Sequence, residues 1–238
     1  MKNLLIAVCF ILISNLVFGQ DSVQVLSKNT YFQADLGLGY NSTDLGSINA
    51  TLNDYGLRTF NEGSTTISIA TSFYFNRILI KNELTWLIPR EVEQAGNLST
   101  EFGGSMLGIG IGYAIIQKPA FRVTPYFGLS TYTGKLSFVD NAPVQGIDDI
   151  IDNRFRNAEV YFSNSALDLG IQVEQLIELR NRKWDCPQNS RFMTLGLRAG
   201  YNFGFGETAG QYNGNQELAN GPTHAKDGFY VKAIIGVG

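Results

Sequence analysis

Eight charged side chains sit at alternating positions inside otherwise apolar stretches: Asp35, Lys81, Glu83, Arg122, Asp168, Glu174, Arg198 and Lys232. Four are acids and four are bases. A balanced set on one side of a sheet suits ions enclosed together, because an unpaired buried charge is very costly. Such ions could gate a permeation path, or simply fill a narrow interior as a structural network. His224 is the only histidine and follows Gly221-Pro222-Thr223. A histidine can serve as general base to a serine, but no motif surrounds this one and its expected place is a solvated loop. Asp148, Asp149 and Asp152 could gather a cation, yet their spacing matches no calcium loop. The run GIGIGY (Gly108–Tyr113) lacks the following helix that would present amides to a phosphate, so its glycines are expected to be sheet wall. These residues imply no catalytic set, no metal site and no cofactor.

The elements that must position the charges are strands. From Thr65 to Ile88 the chain alternates with a period of two, apolar at Ile67, Ile69, Phe73 and Phe75, then at Ile78, Ile80, Leu84 and Trp86. Only Asn76 and Arg77 separate the halves. A two-residue hairpin loop then pairs Phe75 with Ile78, Phe73 with Ile80, Ile69 with Leu84 and Ile67 with Trp86. Every pair is apolar with apolar, so loop length and side-chain phase select one register. Similar alternation predicts strands at Tyr31–Tyr40, Ser105–Ile115, from Phe121 onward, Ser165–Leu179, Met193–Phe205 and Phe229–Val237. That makes eight. Pro125 predicts a bulge or a weakened ladder. Leu136 and Phe138 fall on the opposite parity, which predicts a second bulge near Gly134. Four connections read as long and polar: Asn41–Ser64, Pro89–Phe102, Asp140–Glu159 and Gly206–Asp227. The intervening turns are short.

Met1–Gly19, with Lys2 before an apolar core, reads as a signal peptide that is removed, leaving 20–238 as a single domain. Cys9 goes with it, and Cys186 then has no partner for an internal disulfide. Charged residues are 16% of a chain with net charge −3, so nothing points to nucleic acid.

Alternation does not say which face is wet. The polar face is rich in glycine (Gly37, Gly108, Gly110, Gly170, Gly196, Gly200 and others), which gives up strand propensity for nothing on a solvent face. On an inner wall it makes room for Arg198, Tyr126 and Tyr230. The apolar face gathers aromatics toward strand ends: Phe32, Tyr40, Phe75, Trp86, Phe121, Phe203 and Phe229, as interfacial girdles do. A tilted strand of about eleven residues rises about 28 Å, near the ~25 Å band of membrane barrels. Basic Arg77, Lys118, Arg180, Arg182, Lys183 and Arg191 mark the short turns, and acids such as Glu91, Glu93 and Glu101 the long connections.

On these residues the chain resembles the small eight-stranded outer-membrane β-barrels of Gram-negative bacteria, the OmpA/OmpX-like group. It departs from them at Val237-Gly238, where the family ends in an aromatic residue. The resemblance implies an all-β fold, a closed antiparallel up-and-down transmembrane barrel of eight strands in the bacterial outer membrane. It implies a non-enzymatic anchor with four long extracellular loops that contact surfaces or a partner protein. The implied partners are outer-membrane lipid, lipopolysaccharide, the barrel-assembly machinery and an extracellular or envelope protein. A lipid-modifying enzyme and a narrow solute or ion channel stand as alternatives.

Overall fold

The computed structural model describes residues 30–94, 98–140, 157–179, 191–206, 208–212, 216–218 and 221–238. The signal-peptide segment, Asp148, Asp149, Asp152, Cys186 and the basic turn residues Arg180, Arg182 and Lys183 lie outside them. Eight long strands carry the fold: β1 (Thr30–Ser42), β2 (Gly63–Phe75), β3 (Ile78–Glu93), β4 (Leu98–Tyr113), β5 (Phe121–Asp140), β6 (Asn157–Leu179), β7 (Arg191–Gly204) and β8 (Gly228–Val237). Each pairs antiparallel with its sequence neighbours, and β1 also pairs with β8, so the ladder runs round in a ring. The β2–β3 register is the expected one, Phe75 opposite Ile78 through Ile67 opposite Trp86. Asn76 takes the left-handed backbone conformation (φ 55°) that so tight a turn requires.

The apolar face is outside. Ile109 is 58% exposed and Phe73 42%, while Arg198 is 0% and Glu83 6% exposed. Glycines on the inner wall do make room: a Cβ on Gly170 would lie 2.6 Å from the hydroxyl of Tyr126, and one on Gly200 would strike that of Tyr230. Among the described residues no helix is long and apolar enough to cross a membrane.

Two ends differ. Asn76-Arg77, the β4–β5 turn and both ends of the described chain lie at the turn end. Leu179 and Arg191 end their strands there too. The β1–β2, β3–β4 and β7–β8 connections lie at the loop end, where three expectations fail. Pro89–Phe102 is not a loop: β3 runs on to Glu93 and β4 starts at Leu98, with the register shifting between Leu87 and Arg90. Glu91 and Glu93 read as loop because this stretch of strand stands in water, where a polar outer face is the ordinary one. The β1–β2 connection holds a helix, α1 (Gly46–Asp54), which buries Ile48 and Leu52. Two apolar residues one turn apart are too few to mark a helix by period; tertiary burial holds it. Asn49 fastens it, its amide donating to the Phe60 carbonyl and its Oδ1 accepting from the Phe60 N–H, both at 2.9 Å.

The third failure is the bulge near Gly134. Both ladders of β5 pass Gly134 without a shift. Leu136 is on the inner face and buried there, packed with Leu45, Ile48, Leu52, Phe60, Phe102, Val160 and Phe162. The parity of the apolar residues changes because the surroundings change, not the strand. Outside, Leu129 gives way to Thr131, Thr133 and Lys135. At Pro125 the β4 ladder stops one pair short, at Gly112 opposite Tyr126, while pairing to β6 continues through Ile171.

Candidate functional site: the filled lumen and its outer mouth

The eight predicted charges all come from inward-facing positions, and the barrel brings them into one connected column. At the turn end the column is closed by rings. Tyr31 stacks on Tyr74 at 4.8 Å between centroids, and Phe192 meets Tyr31 edge-on at 5.3 Å. Above them Arg122 and Glu174 pair at 2.5 Å, both fully buried. Gln33 ties this pair to the next level. Its Oε1 accepts from Arg122 at 2.9 Å, and its amide donates to Glu174 at 2.7 Å and to Asp35 at 2.6 Å. The Arg122 guanidinium lies over the Tyr74 ring, 3.6 Å from its centroid.

Glu83 is the hub of the next level. Three cations surround it: Lys232 at 2.8 Å, Lys81 at 3.0 Å and Arg198 at 3.0 Å. The Arg198 contact is ionic rather than a well-aligned hydrogen bond. Arg198 Nε donates to Gln172 at 2.8 Å, and its Nη2 lies 3.7 Å from Asp35. Lys81 is 3.9 Å from Asp168 and 3.8 Å from the centre of the Tyr126 ring. Tyr230 donates to Asp168 at 2.5 Å and shares a short hydrogen bond with Tyr126. Arginine at the two fully buried positions suits its planar fork, which reaches several acceptors at once.

Toward the loop end the lumen holds side chains whose role the sequence left unread. Lys226 is fully buried and donates to Asn41 Oδ1 at 3.0 Å and Thr43 Oγ1 at 3.3 Å. No carboxylate forms an ion pair with it among the described residues. Burial pushes its ammonium down to about 7. His224 is not solvated: it is 2% exposed. Its ring lies edge-on to Phe102 at 5.9 Å and to Phe162 at 5.7 Å, and tilted to Tyr132 at 5.3 Å. Neither ring nitrogen makes a well-formed hydrogen bond. Burial, with the Lys226 charge, pushes it down to about 4, against a smaller opposing pull from the Asp44 backbone. The residues Gly221-Pro222-Thr223 read as loop, but Thr223–His224 forms a short bridge with Thr208–Ala209 that folds the β7–β8 connection into the mouth. No local pattern signals that burial; the signal lies in what α1 and β4–β6 present to it.

Above this plug, α1, the outer ends of β5 and β6 and the returning β7–β8 connection surround an apolar hollow of about 490 Å³.

An apolar wall outside, a balanced set of ions inside and a ring of eight strands together define a small membrane-spanning β-barrel. No protein-family model matches the chain, and no curated protein matches it. Among solved structures it is similar to Neisserial surface protein A, at 15% identity over 88% of this chain and 96% of that one, with a TM-score of 0.39. It is also similar to the outer membrane protein OprG of Pseudomonas aeruginosa (12% identity, 91% and 99% covered, TM-score 0.43). A third is the outer membrane protease OmpT of Escherichia coli (11% identity, 89% and 99% covered, TM-score 0.36). At such identities and scores no correspondence of residues or of activity follows.

Proposed function

We propose that the chain is an integral outer-membrane protein whose barrel is a plugged, non-conducting and non-enzymatic anchor, with its loop end facing outward. The working surface is then the outer end: α1, the extended β3–β4 and β5–β6 hairpins, and the β7–β8 connection. It meets the lipopolysaccharide leaflet at its flanks and a surface or partner protein at its tip. The barrel reaches the membrane through the general assembly machinery.

The observation that supports this reading is the filling of the lumen. From the Tyr31–Tyr74–Phe192 stack, through the Arg122–Glu174 and Glu83 levels, to His224 and the apolar cluster under α1, every level is occupied by buried side chains. An eight-stranded interior is just wide enough for side chains to fill it, so an ion would have to displace the paired charges of the Arg122–Glu174 and Glu83 levels and pass the aromatic and apolar levels at either end. The His224 ring packs against Phe102, Tyr132 and Phe162, and among the described residues neither of its nitrogens is hydrogen-bonded to a serine hydroxyl, which favours the non-enzymatic reading. Planar-bilayer recording of the refolded barrel tests the reading: a silent membrane is expected, and discrete conductance steps that change in Arg198→Ala would replace the anchor with a channel.

A further inference from the structure

The hollow at the loop end is lined by Ile48 and Leu52 of α1, Leu136 and Phe138 of β5, Val160 of β6 and Leu218 of the β7–β8 connection. Tyr55 stands at its rim, 79% exposed. Among the described residues no charged side chain lines it, and the only side-chain polar groups there are the Thr51 hydroxyl and the Tyr55 phenol. Its volume of about 490 Å³ falls inside the ~300–1,000 Å³ range of small-molecule sites.

We propose that this hollow is a binding site for one uncharged apolar small molecule entering from the outer side of the membrane. It deepens the anchor reading by giving the outer end a ligand, and it holds whether or not a protein partner exists. Three observations carry it. The first is that the walls are fixed before any ligand arrives. One wall is the continuous β5–β6 ladder, which pairs Leu136 with Val160 and Phe138 with Ala158. The helix wall is pinned by the Asn49–Phe60 pair and by Ser47, whose hydroxyl accepts from the Thr223 N–H at 3.0 Å. The segment behind the helix is held at Arg58, whose N–H donates to Gln94 Oε1 at 2.6 Å and whose carbonyl accepts from Gln94 Nε2 at 3.1 Å. A preformed site spares the ligand the cost of ordering the chain.

The second observation is that the hollow is floored. Phe102, Phe162, Ile48 and Leu52 belong to one buried cluster, below which lie His224 and Lys226, so a ligand would be received and not passed through. The third is chemical. A carboxylate or sulfonate would lose its hydration with no cation among the described residues lining the hollow to receive it. A neutral molecule removes apolar wall from water and pays no such cost.

The experiment uses the full mature chain refolded in lipid nanodiscs, with N-phenyl-1-naphthylamine as neutral probe and 1-anilinonaphthalene-8-sulfonate as charged comparison. Methyl NMR reads the site: the probe is expected to shift the methyls of Ile48, Leu52, Leu136, Val160 and Leu218 saturably. Those of lipid-facing Ile109 and Leu129 should follow only the weak partition into lipid. Thr51→Trp should fill the hollow and weaken binding by at least about tenfold, while Thr51→Ser leaves it within about twofold. The sulfonate should bind at least about tenfold more weakly than the neutral probe. Absence of site-specific shifts overturns the proposal, as does equal binding by Thr51→Trp with the barrel intact on a heat-modifiability gel. So does binding that emerges only when residues 141–156 are replaced by a short Gly-Ser turn, because the chain would then be its own occupant. Equal affinity for the sulfonate overturns the ligand class. Conductance is read separately, so loss of the anchor reading and loss of this site are distinguishable.

Discussion

Glu83→Ala is the sharpest perturbation of the lumen. The carboxylate holds Lys232 at 2.8 Å and Lys81 and Arg198 at 3.0 Å. At an effective dielectric constant of ~20 each contact is a gross attraction of about 5 kcal/mol, most of it offset by desolvation. The substitution therefore matters less for the attraction lost than for what stays behind. Arg198 keeps Asp35 at 3.7 Å and Lys81 keeps Asp168 at 3.9 Å. Lys232 keeps the Thr85 hydroxyl at 2.9 Å and the Tyr230 ring at 5.2 Å, and becomes a buried cation without an ion-pair partner among the described residues. Removing one partner of a buried set costs about 3–5 kcal/mol. The vacated carboxylate volume admits water and keeps the expectation at the lower end of that range. Urea unfolding in lipid vesicles, followed by tryptophan fluorescence, measures it; Trp86, on the lipid face, reports when the barrel leaves the bilayer. The mechanism makes a second demand. In a Glu83→Gln background, Lys232→Met removes the orphaned cation and should restore about 1–3 kcal/mol, whereas Lys232→Met alone should destabilise. A Glu83→Ala cost below about 1 kcal/mol, or strict additivity in the cycle, would refute the reasoning: the ions would then be individually hydrated and the lumen wet.

Two further outcomes follow from the same frame. Ile109→Arg, at a position 58% exposed on the outer wall, should cost about 2–4 kcal/mol in vesicles, while Thr133→Arg, above the apolar band on the outer face, should cost under about 1 kcal/mol; similar costs would misplace the band. Docking of the β7–β8 connection should weaken in acid. His224 is held down to about 4 against an ordinary 6.5, with Lys226, Asp44 and Asp227 as its charged neighbours. The undocked ring therefore binds the proton more readily, and its contribution is fully present above pH 6.5 and lost as pH falls toward 4, by roughly 3 kcal/mol. Lys226, held down to about 7 against 10.5, adds a separate loss as pH falls from 10.5 toward 7. Hydrogen exchange of the Gly210 amide, which donates to Pro222 at 3.0 Å, reads the docking; in His224→Phe the step between pH 6.5 and 4 should vanish and the alkaline one remain.

What could be read in advance was whatever a two-residue period controls. The Thr65–Ile88 hairpin fixed its own register, because loop length and apolar phase admit one pairing. The eight inward charges were found for the same reason: an ion on the glycine-rich face has one side to occupy. What could not be read depends on contacts between distant segments. Helix α1 buries only Ile48 and Leu52, is pinned by contacts to distant Phe60 and Thr223, and its Asn, Thr and Ser residues favour no helix by themselves. His224 looked solvated because its neighbours in sequence are loop residues, whereas its neighbours in space are Phe102, Tyr132 and Phe162. The hollow has no sequence signature, since its walls come from α1, β5, β6 and a connection more than 150 residues from the helix.

The parity change along β5 shows how one strand serves two solvents. Through Phe127 and Leu129 the outer face is apolar and the inner face carries Arg122 and Tyr126. From Thr131 the outer face turns polar, and the inner face becomes apolar at Leu136. The backbone ladder does not break at the crossing, so the chain leaves the bilayer without leaving the sheet. Below the crossing the barrel is inverted, with lipid as its apolar partner and ions at its centre. Above it the barrel is an ordinary water-soluble one that needs a hydrophobic core, and α1 supplies it. That core does not fill the space: Ile48 and Leu52 pack against Phe102 and Phe162 on one side and face the open hollow on the other. An apolar concavity is therefore placed where lipid no longer covers it and the side chains of the described residues do not fill it.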